Sequence, residues 1–261
     1  MKGLLEQMHD WMHDYMKSFY NEDKEIQKGI LIKEEHTGYV AKISRELAEN
    51  LDMNVHDCML AEMMGLFHDV GRFRQFTLYK TFNDSLSENH ALLGIKVLKE
   101  QSFIESLNAK DRDLLLFAIG NHNAKSIENT ENERKLLFAR LLRDADKLDI
   151  YRVLSPFLQP SDGTGCSPDF VHKFVMGEQC DYSQIRTVDD RKLVRLMWIY
   201  DINFAWTLHQ VIDRGYLKRI VAFLPKELLI QQGIKRLYKH IAVKLQTKDE
   251  VKFSKDRAGD F

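Results

Sequence analysis

The stretch LFHDVGRF, Leu66 to Phe73, places a histidine and an aspartate side by side among apolar residues. Burying two titratable groups in hydrocarbon costs free energy unless other groups compensate them. The fold must therefore surround His68 and Asp69 with such groups. On an uninterrupted helix the two side chains would diverge by about 100°. Gly71 indicates a helix end close by, where both side chains can approach one common point.

Apolar residues recur three or four positions apart through most of the chain, a period typical of amphipathic helices. The clearest runs are Val40, Ile43, Leu47 and Leu51; Leu60, Met64 and Phe67; Leu115 and Ile119; and Leu193, Leu196, Met197, Tyr200, Phe204, Leu208, Val211 and Ile212. Strand-like alternation is hard to find, and the chain has four prolines. The sequence therefore predicts an all-α protein. The segment Ser85–Glu88 has the form of a capping box and predicts the start of one helix.

Turn-forming residues are concentrated between residues 155 and 190, which predicts a connector with one short helix inside it. They are Pro156, Pro160, Gly163, Gly165 and Pro168. Connectors of this length are often lids or specificity elements. This one separates a helical core at about 30–155 from a C-terminal helical layer at about 190–247. Residues 248–261 form a loose, mixed-charge tail, and we expect a single all-α domain over residues 1–261.

The composition gives no electrostatic case for binding bulk nucleic acid or a membrane surface. Thirty-eight basic and 39 acidic residues leave a net charge of −1. No apolar run approaches the length of a membrane span, and the charged start of the chain is unlike a signal peptide. The three cysteines are odd in number and form no C-x-x-C pair, which argues against a thiolate zinc site. These features predict a reduced, cytoplasmic protein.

Side chains that bind metals lie on the apolar faces of five predicted segments. His36, for example, precedes Val40 and Ile43 by four and seven positions and so shares their inward face. The same argument places four further side chains inward: His68, His90, His122 and Asp146. A single histidine on such a face is usually a hydrogen-bonded core residue. Five buried polar groups need mutual compensation, and a metal ion provides it, because imidazole nitrogen and carboxylate oxygen are natural ligands.

Several pieces of the sequence resemble the H…HD…D signature of the HD-domain superfamily of metal-dependent phosphohydrolases. They are HTGYVAKISRELAENL from His36, LAEMMGLFHDVGRF with His68 and Asp69, and RDADKLD with Asp146. NHALLGIKVL with His90 and AIGNHN with His122 resemble segments of the binuclear branch. The parts follow the family's order over roughly residues 30–155, whereas the C-terminal third carries no motif that we can place. The resemblance implies an HD-domain helical bundle with an additional C-terminal helical layer.

The resemblance also implies a site and a reaction. One ion would be held by His36, His68, Asp69 and Asp146, and Asp69 would bridge to a second held by His90 and His122. The implied cofactors are two divalent metal ions, drawn from Mn, Fe, Ni, Mg and Zn. The reaction would be attack of a metal-bound hydroxide on a phosphoester of a small molecule, a nucleotide being the foremost class.

Residues that would meet the charge of the substrate can also be named. Arg72 stands where many family members have a lysine, so with Asp69 it is a candidate catalytic residue and a phosphate contact. Its alternative role is that of a basic residue at a helix end. Lys147 is a weaker candidate, and the segment 79–85 is placed by chain order to form a pocket wall.

Other functions are compatible with the same ligands. Some HD-fold enzymes carry a mixed-valent di-iron pair and oxidise organic substrates, with the same ligand order. A degenerate, non-catalytic ligand-binding module is the third possibility, and the retention of all six candidate ligands argues against it. Hydrolysis is preferred because it is more common on this fold and needs no redox partner. His122-Asn123 replaces the paired histidines of the cyclic-dinucleotide phosphodiesterases, which disfavours that activity.

Overall fold

The computed structural model describes residues 1–246, and this part of the chain is helical with no strand. The all-α prediction is therefore confirmed. The helices are α1 (Lys2–Lys17), α2 (Lys24–Asn50), α3 (Val55–Phe67), α4 (Val70–Tyr79), α5 (His90–Lys99), α6 (Ser102–Glu105), α7 (Ala109–Asn121), α8 (Glu133–Leu154), α9 (Pro168–Met176), α10 (Val188–Met197), α11 (Ala205–Asp213), α12 (Tyr216–Ala222) and α13 (Leu228–Gln246). The predicted tail at 248–261 lies outside the described residues. None of the described helices combines the length and the apolar character needed to cross a membrane.

Helix α2 lies at the centre of the bundle and packs along α3 and α8. Its buried face carries His36 together with Val40 and Leu47. The backbones of α2 and α3 approach closely at Gly65, where an added Cβ would lie 2.6 Å from the carbonyl oxygen of Val40. A side chain at this position would force the helices apart. The glycine therefore lets the end of α3 lie beside the middle of α2.

The adjacent His68 and Asp69 lie in a break between two helices. Helix α3 ends at Phe67 and α4 begins at Val70. Asp69 leaves helical geometry, with φ −107° and ψ 16°. The break removes the divergence of about 100° that a continuous helix would impose on neighbouring side chains. His68 and Asp69 are both buried and face the same space.

A second close contact fixes α5 against α4. A Cβ added to Gly71 would lie 2.2 Å from the carbonyl oxygen of His90 and 2.7 Å from the backbone nitrogen of Gly94. These distances are far below a normal van der Waals contact, so only glycine fits at position 71 without movement of a backbone. The contact places the first residue of α5, His90, close to Asp69.

The start of α5 differs from the prediction. The capping box expected at Ser85–Glu88 is wrong, because Ser85 lies in a separate 3-10 turn, Asp84–Leu86. Asn89 caps α5 instead, and its side chain accepts a hydrogen bond from the backbone N–H of Leu92. Asparagine is as effective an N-cap as serine, and here it stands directly before the apolar run.

The connector contains α9 and is fixed to the first turn of α10 by Asp190. The buried carboxylate of Asp190 accepts hydrogen bonds from the backbone N–H and the hydroxyl of Ser167. It also accepts from the backbone N–H groups of Arg186 and Thr187. One side chain thus holds both ends of the segment that includes α9.

A buried ion pair fixes the earlier part of the connector. Lys192 is 1% exposed and donates to Asp189, at 2.6 Å, and to the carbonyl oxygen of Phe223. Asp189 also accepts a hydrogen bond from the hydroxyl of Ser161. A buried charge left without its partner is strongly unfavourable. The connector is therefore held as a packed wall against the C-terminal helices.

Candidate metal centre

The carboxylate of Asp69 joins two clusters of side chains, all of them buried except that of Asp146, which is 15% exposed. On one side, its Oδ2 lies 3.5 Å from Nε2 of His36 and 3.4 Å from Nε2 of His68. Oδ1 of Asp146 completes this first cluster, at 3.1 Å from His36 Nε2 and 3.7 Å from His68 Nε2. The two ring nitrogens are 3.2 Å apart. Four ligand atoms from two helices, α2 and α8, and from the α3–α4 break therefore surround one point.

The second cluster faces the other oxygen of Asp69. Oδ1 lies 3.3 Å from Nε2 of His90 and 3.6 Å from Nε2 of His122. These two Nε2 atoms are 2.9 Å apart. Asp69 thus belongs to both groups of residues that could hold a metal ion. A carboxylate can serve two ions in this way because it has two oxygens.

Backbone carbonyls fix the tautomers of two of the histidines. Nδ1 of His68 lies 2.7 Å from the carbonyl oxygen of Gly65, and Nδ1 of His122 lies 2.7 Å from that of Ile119. A carbonyl oxygen only accepts hydrogen bonds, so Nδ1 carries a proton in both rings. In the neutral form of each ring, Nε2 then presents a lone pair to the clusters.

Carboxylates hold the other two histidines in the same orientation. Nδ1 of His36 donates to Asp149 at 2.6 Å, and Nδ1 of His90 donates to Asp84 at 2.7 Å. Contacts of this kind orient metal-binding imidazoles and increase their basicity. From the sequence, Asp84 is predicted only as part of the wall segment 79–85. The sequence RDADKLD predicts that Asp149 orients a metal ligand or caps a turn, and its hydrogen bond with His36 agrees with the first of these roles.

Imidazole nitrogens and carboxylate oxygens face one another in both clusters, so a positive charge between these atoms would stabilise them. Burial lowers the pKa of His90 to about 4, so this ring is neutral near pH 7. Its Nε2 lies 2.9 Å from Nε2 of His122, a distance at which two lone pairs repel each other unless a proton or a metal ion lies between them. Four imidazole nitrogens and two carboxylates suit divalent transition metals and zinc. The residues present therefore fit metal ions.

The two carboxylates of the clusters are ionised. Burial alone would raise the pKa of Asp69, but Lys33 and His68 hold it well below its usual range. Burial likewise acts on Asp146, and the neighbouring His36 and His68 lower its pKa. Metal ions bind the deprotonated forms of their ligands. Both aspartates are thus in the form that can bind a metal.

Lys33 is a site residue that was not predicted from the sequence. Its Nζ lies 2.5 Å from Oδ2 of Asp69, and its side chain is 16% exposed. Lys33 precedes His36 by three positions on α2, a spacing that puts both on one side of the helix. That spacing was the available signal, but a lysine between other charged residues gives no sequence reason to place it inward.

Arg72 lies at the edge of the second cluster. Its Nη1 donates to the carbonyl oxygen of Phe82 at 2.6 Å and to Asp84 at 2.9 Å. Its Nε lies 3.5 Å from Oδ1 of Asp69. The guanidinium therefore faces the site, while its contact with a phosphate stays a prediction.

The clusters open into a cavity of about 690 Å³. Its basic lining consists of Lys33, Arg72, Lys125, Arg143, Lys147 and Lys173. Its acidic lining consists of Asp69, Asp84, Asp146, Asp181 and Asp201. The predicted wall segment contributes Phe82, Asn83 and Asp84, and Tyr182 and Trp198 from beyond the helical core also line the cavity. Because Asp69 and Asp146 belong to the clusters, basic side chains predominate in the remaining lining.

All six predicted metal ligands are thus brought together, although metal binding by each of them remains a prediction. Residues 34–151 match the HD domain family, and this stretch contains all six. No curated protein and no solved structure is significantly similar to the chain. Lys33 and the cavity wall from Lys173 to Asp201 lie outside the match. The helical bundle, the order of the six side chains and the family match agree, and residues 34–151 of this chain are an HD domain.

Proposed function

We propose that the protein is a metal-dependent phosphohydrolase that cleaves a phosphoester of a small molecule, with a nucleotide as the foremost substrate class. The observation that carries the proposal is the division of one carboxylate, Asp69, between two ligand clusters inside a cavity rich in basic side chains. The HD superfamily includes metal-dependent phosphohydrolases. The free thiols of the three cysteines fit our placement of the protein in the cytoplasm.

The residues of the first cluster would hold one divalent ion, and Asp69, His90 and His122 would hold the second. Bound there, the ions would supply Lewis acidity and lower the pKa of a water molecule. The protein fixes this arrangement in advance. Asp149 and Asp84 orient His36 and His90 through Nδ1, so that each Nε2 faces the site.

The chain itself would bind the phosphate through its basic side chains. Lys33 already lies beside Asp69, and Arg72 points its guanidinium toward the same carboxylate. Arginine binds phosphate through paired N–H groups, and lysine contributes a compact charge. The partly buried position of both side chains strengthens their electrostatic interaction with an anion.

The basic lining of the cavity favours hydrolysis of a phosphoester over the two alternative functions, a di-iron oxygenase and a non-catalytic ligand-binding module. An oxygenase acting on a neutral organic molecule has no need for a cavity in which basic side chains outnumber the acidic side chains outside the two clusters. A non-catalytic module has no need for four histidines held with Nε2 toward two clusters. An enzyme that acts on an anionic substrate needs both the basic lining and the oriented histidines.

The proposal is tested with the purified protein, loaded with Mn²⁺, on a panel of phosphomonoesters and phosphodiesters that includes nucleotides. Replacement Asp69→Asn should abolish hydrolysis, because one residue serves both clusters. Asp113→Asn is the matched control, since Asp113 pairs on the surface with Lys135. Turnover that survives Asp69→Asn, or oxygen consumption by an iron-loaded sample without any phosphoester cleavage, would refute the proposal.

A further inference from the structure

The C-terminal end of α7 is closed by an arginine from α8. Arg143 lies one turn before Asp146, and its Nη1 lies 3.1 Å from the carbonyl oxygen of Asn121. The carbonyl oxygens of His122 and Ala124 are 3.4 Å and 2.5 Å away. The last carbonyls of a helix have no partner within it, and a cation is favourable there. Arg143 supplies both the donors and the charge.

This helix end carries a member of the second cluster. His122 is the C-cap residue of α7, and its Nε2 faces Asp69. The backbone contacts at this point are long, 3.5 Å from the N–H of His122 to Ile119 and 3.4 Å from that of Ala124 to Asn121. The position of His122 therefore depends on the contacts that Arg143 makes.

Arg143 is in turn held from outside the HD domain. It is 6% exposed, and its Nη2 donates to Oδ2 of Asp201 at 2.8 Å. Lys147 binds the same oxygen at 2.7 Å. Asp201 ends the 3-10 turn Trp198–Asp201, which belongs to the C-terminal layer. A buried guanidinium without its carboxylate would carry an uncompensated charge.

Asp144, which follows Arg143 on α8, holds the segment after Asp201 by hydrogen bonds. Its fully buried carboxylate accepts hydrogen bonds from the backbone and side-chain amides of Asn203 and from the backbone N–H of Phe204. These bonds are 2.8 to 2.9 Å long. Asp201 is therefore kept within reach of Arg143.

We propose that Asp201 is a positioning residue for the second metal ion, which acts through Arg143 to keep His122 beside Asp69. The inference rests on the proposed binuclear function. It gives the C-terminal layer a role in the metal site although that layer provides none of the predicted ligands. Loss of the Asp201 carboxylate would release Arg143 from the end of α7 and weaken the second cluster selectively.

The test is a calorimetric titration of the metal-free protein with Mn²⁺. We expect the unmodified protein to bind two ions, and Asp201→Asn to bind the first unchanged and the second at least about tenfold more weakly. Asp201→Glu, which keeps the carboxylate, should recover part of the loss. The matched control is Asp181→Asn, which removes the same charge from the same cavity, and its two affinities should be unchanged.

A second measurement needs no metal. Amide hydrogens of residues 119–124 should exchange faster in Asp201→Asn than in the unmodified protein, whereas those of α2 should not. An unchanged second affinity, an equal loss at both sites or unchanged exchange at 119–124 would overturn the inference. Fewer than two ions bound by the unmodified protein would instead refute the binuclear function, and the exchange measurement would then decide the role of Asp201 alone.

Discussion

Replacement Gly71→Ala should loosen the contact between α4 and α5 and thereby disturb the second cluster. The added methyl group would meet the carbonyl oxygen of His90 at 2.2 Å. Relief of this contact to 3.0 Å requires a separation of about 0.8 Å, and the obstacle is backbone that cannot rotate away. His90 moves with the start of α5, so its distance of 3.3 Å to Asp69 would grow as well.

The expected loss of stability follows from two opposing effects. Overpacking costs about 1–3 kcal/mol, and contact with rigid backbone places this case near the upper end. The better helix propensity of alanine returns up to about 1 kcal/mol. The net decrease in the free energy of unfolding is then about 2 kcal/mol, or a fall of roughly 4–8 °C in Tm for a chain of this size.

The assay is urea and thermal unfolding of the metal-free protein, followed by the Mn²⁺ titration. Gly38→Ala is the matched control, because Gly38 lies exposed on α2 with nothing within 4 Å of an added Cβ. It should stabilise the protein by about 0.5–1 kcal/mol. The reasoning is refuted if Gly71→Ala matches the unmodified protein in stability and in affinity for the second ion.

Three further predictions concern other charged groups. Burial alone would raise the pKa of Asp190, but the hydrogen bonds from Ser167, Arg186 and Thr187 hold it below its ordinary 3.8. Its contribution to stability is therefore present above about pH 4 and lost as the pH falls through the lowered pKa. Asp190→Ala should cost at least about 2 kcal/mol at pH 7. In urea unfolding, the difference in the free energy of unfolding between this variant and the unmodified protein should be smaller at pH 3. A difference that does not change with pH would contradict this assignment. Lys192→Met should destabilise the protein by about 3–5 kcal/mol, because Asp189 stays buried without its partner. The double replacement Lys192→Met with Asp189→Leu should recover more than half of this lost free energy of unfolding in the same assay. Asp149→Asn should lower the affinity for the first Mn²⁺ by about 10–100-fold and leave the second unchanged in the titration; equal affinities in both proteins would show that Asp149 does not orient His36.

The sequence sufficed for the helical fold and for the set of side chains that converge, for reasons that particular residues make clear. The period of three and four that places His36 beside Val40 is a property of the helix itself and needs no tertiary information. The convergence of His68 and Asp69 required a helix break, and Gly71 indicated one. Its structural role proved different, however, since Gly71 lies inside α4 and permits the approach of α5.

Residues whose role depends on long-range contacts were not predictable in the same way. Lys33 reaches Asp69, 36 positions away, and Asp201 reaches Arg143, 58 positions away. Neither position carries a local pattern strong enough to place its side chain inward, because a charged residue on a helix or in a turn is usually exposed. The cap at Asn89 was missed because Ser85 and Glu88 fit the pattern of a capping box, and the sequence gives no measure of which residue the backbone uses.

The connector has its anchors and its cavity residues at different positions, and this separation bears on how the protein can change. Asp189 and Asp190 fix the segment from α10, whereas Lys173 and Tyr182 of the same segment face the cavity. Substitutions at the two cavity positions leave the buried anchors and the His/Asp clusters untouched. If the protein has the proposed activity, its substrate preference can therefore diverge during evolution, or be redesigned in the laboratory, without a matching loss of folding stability or of catalysis.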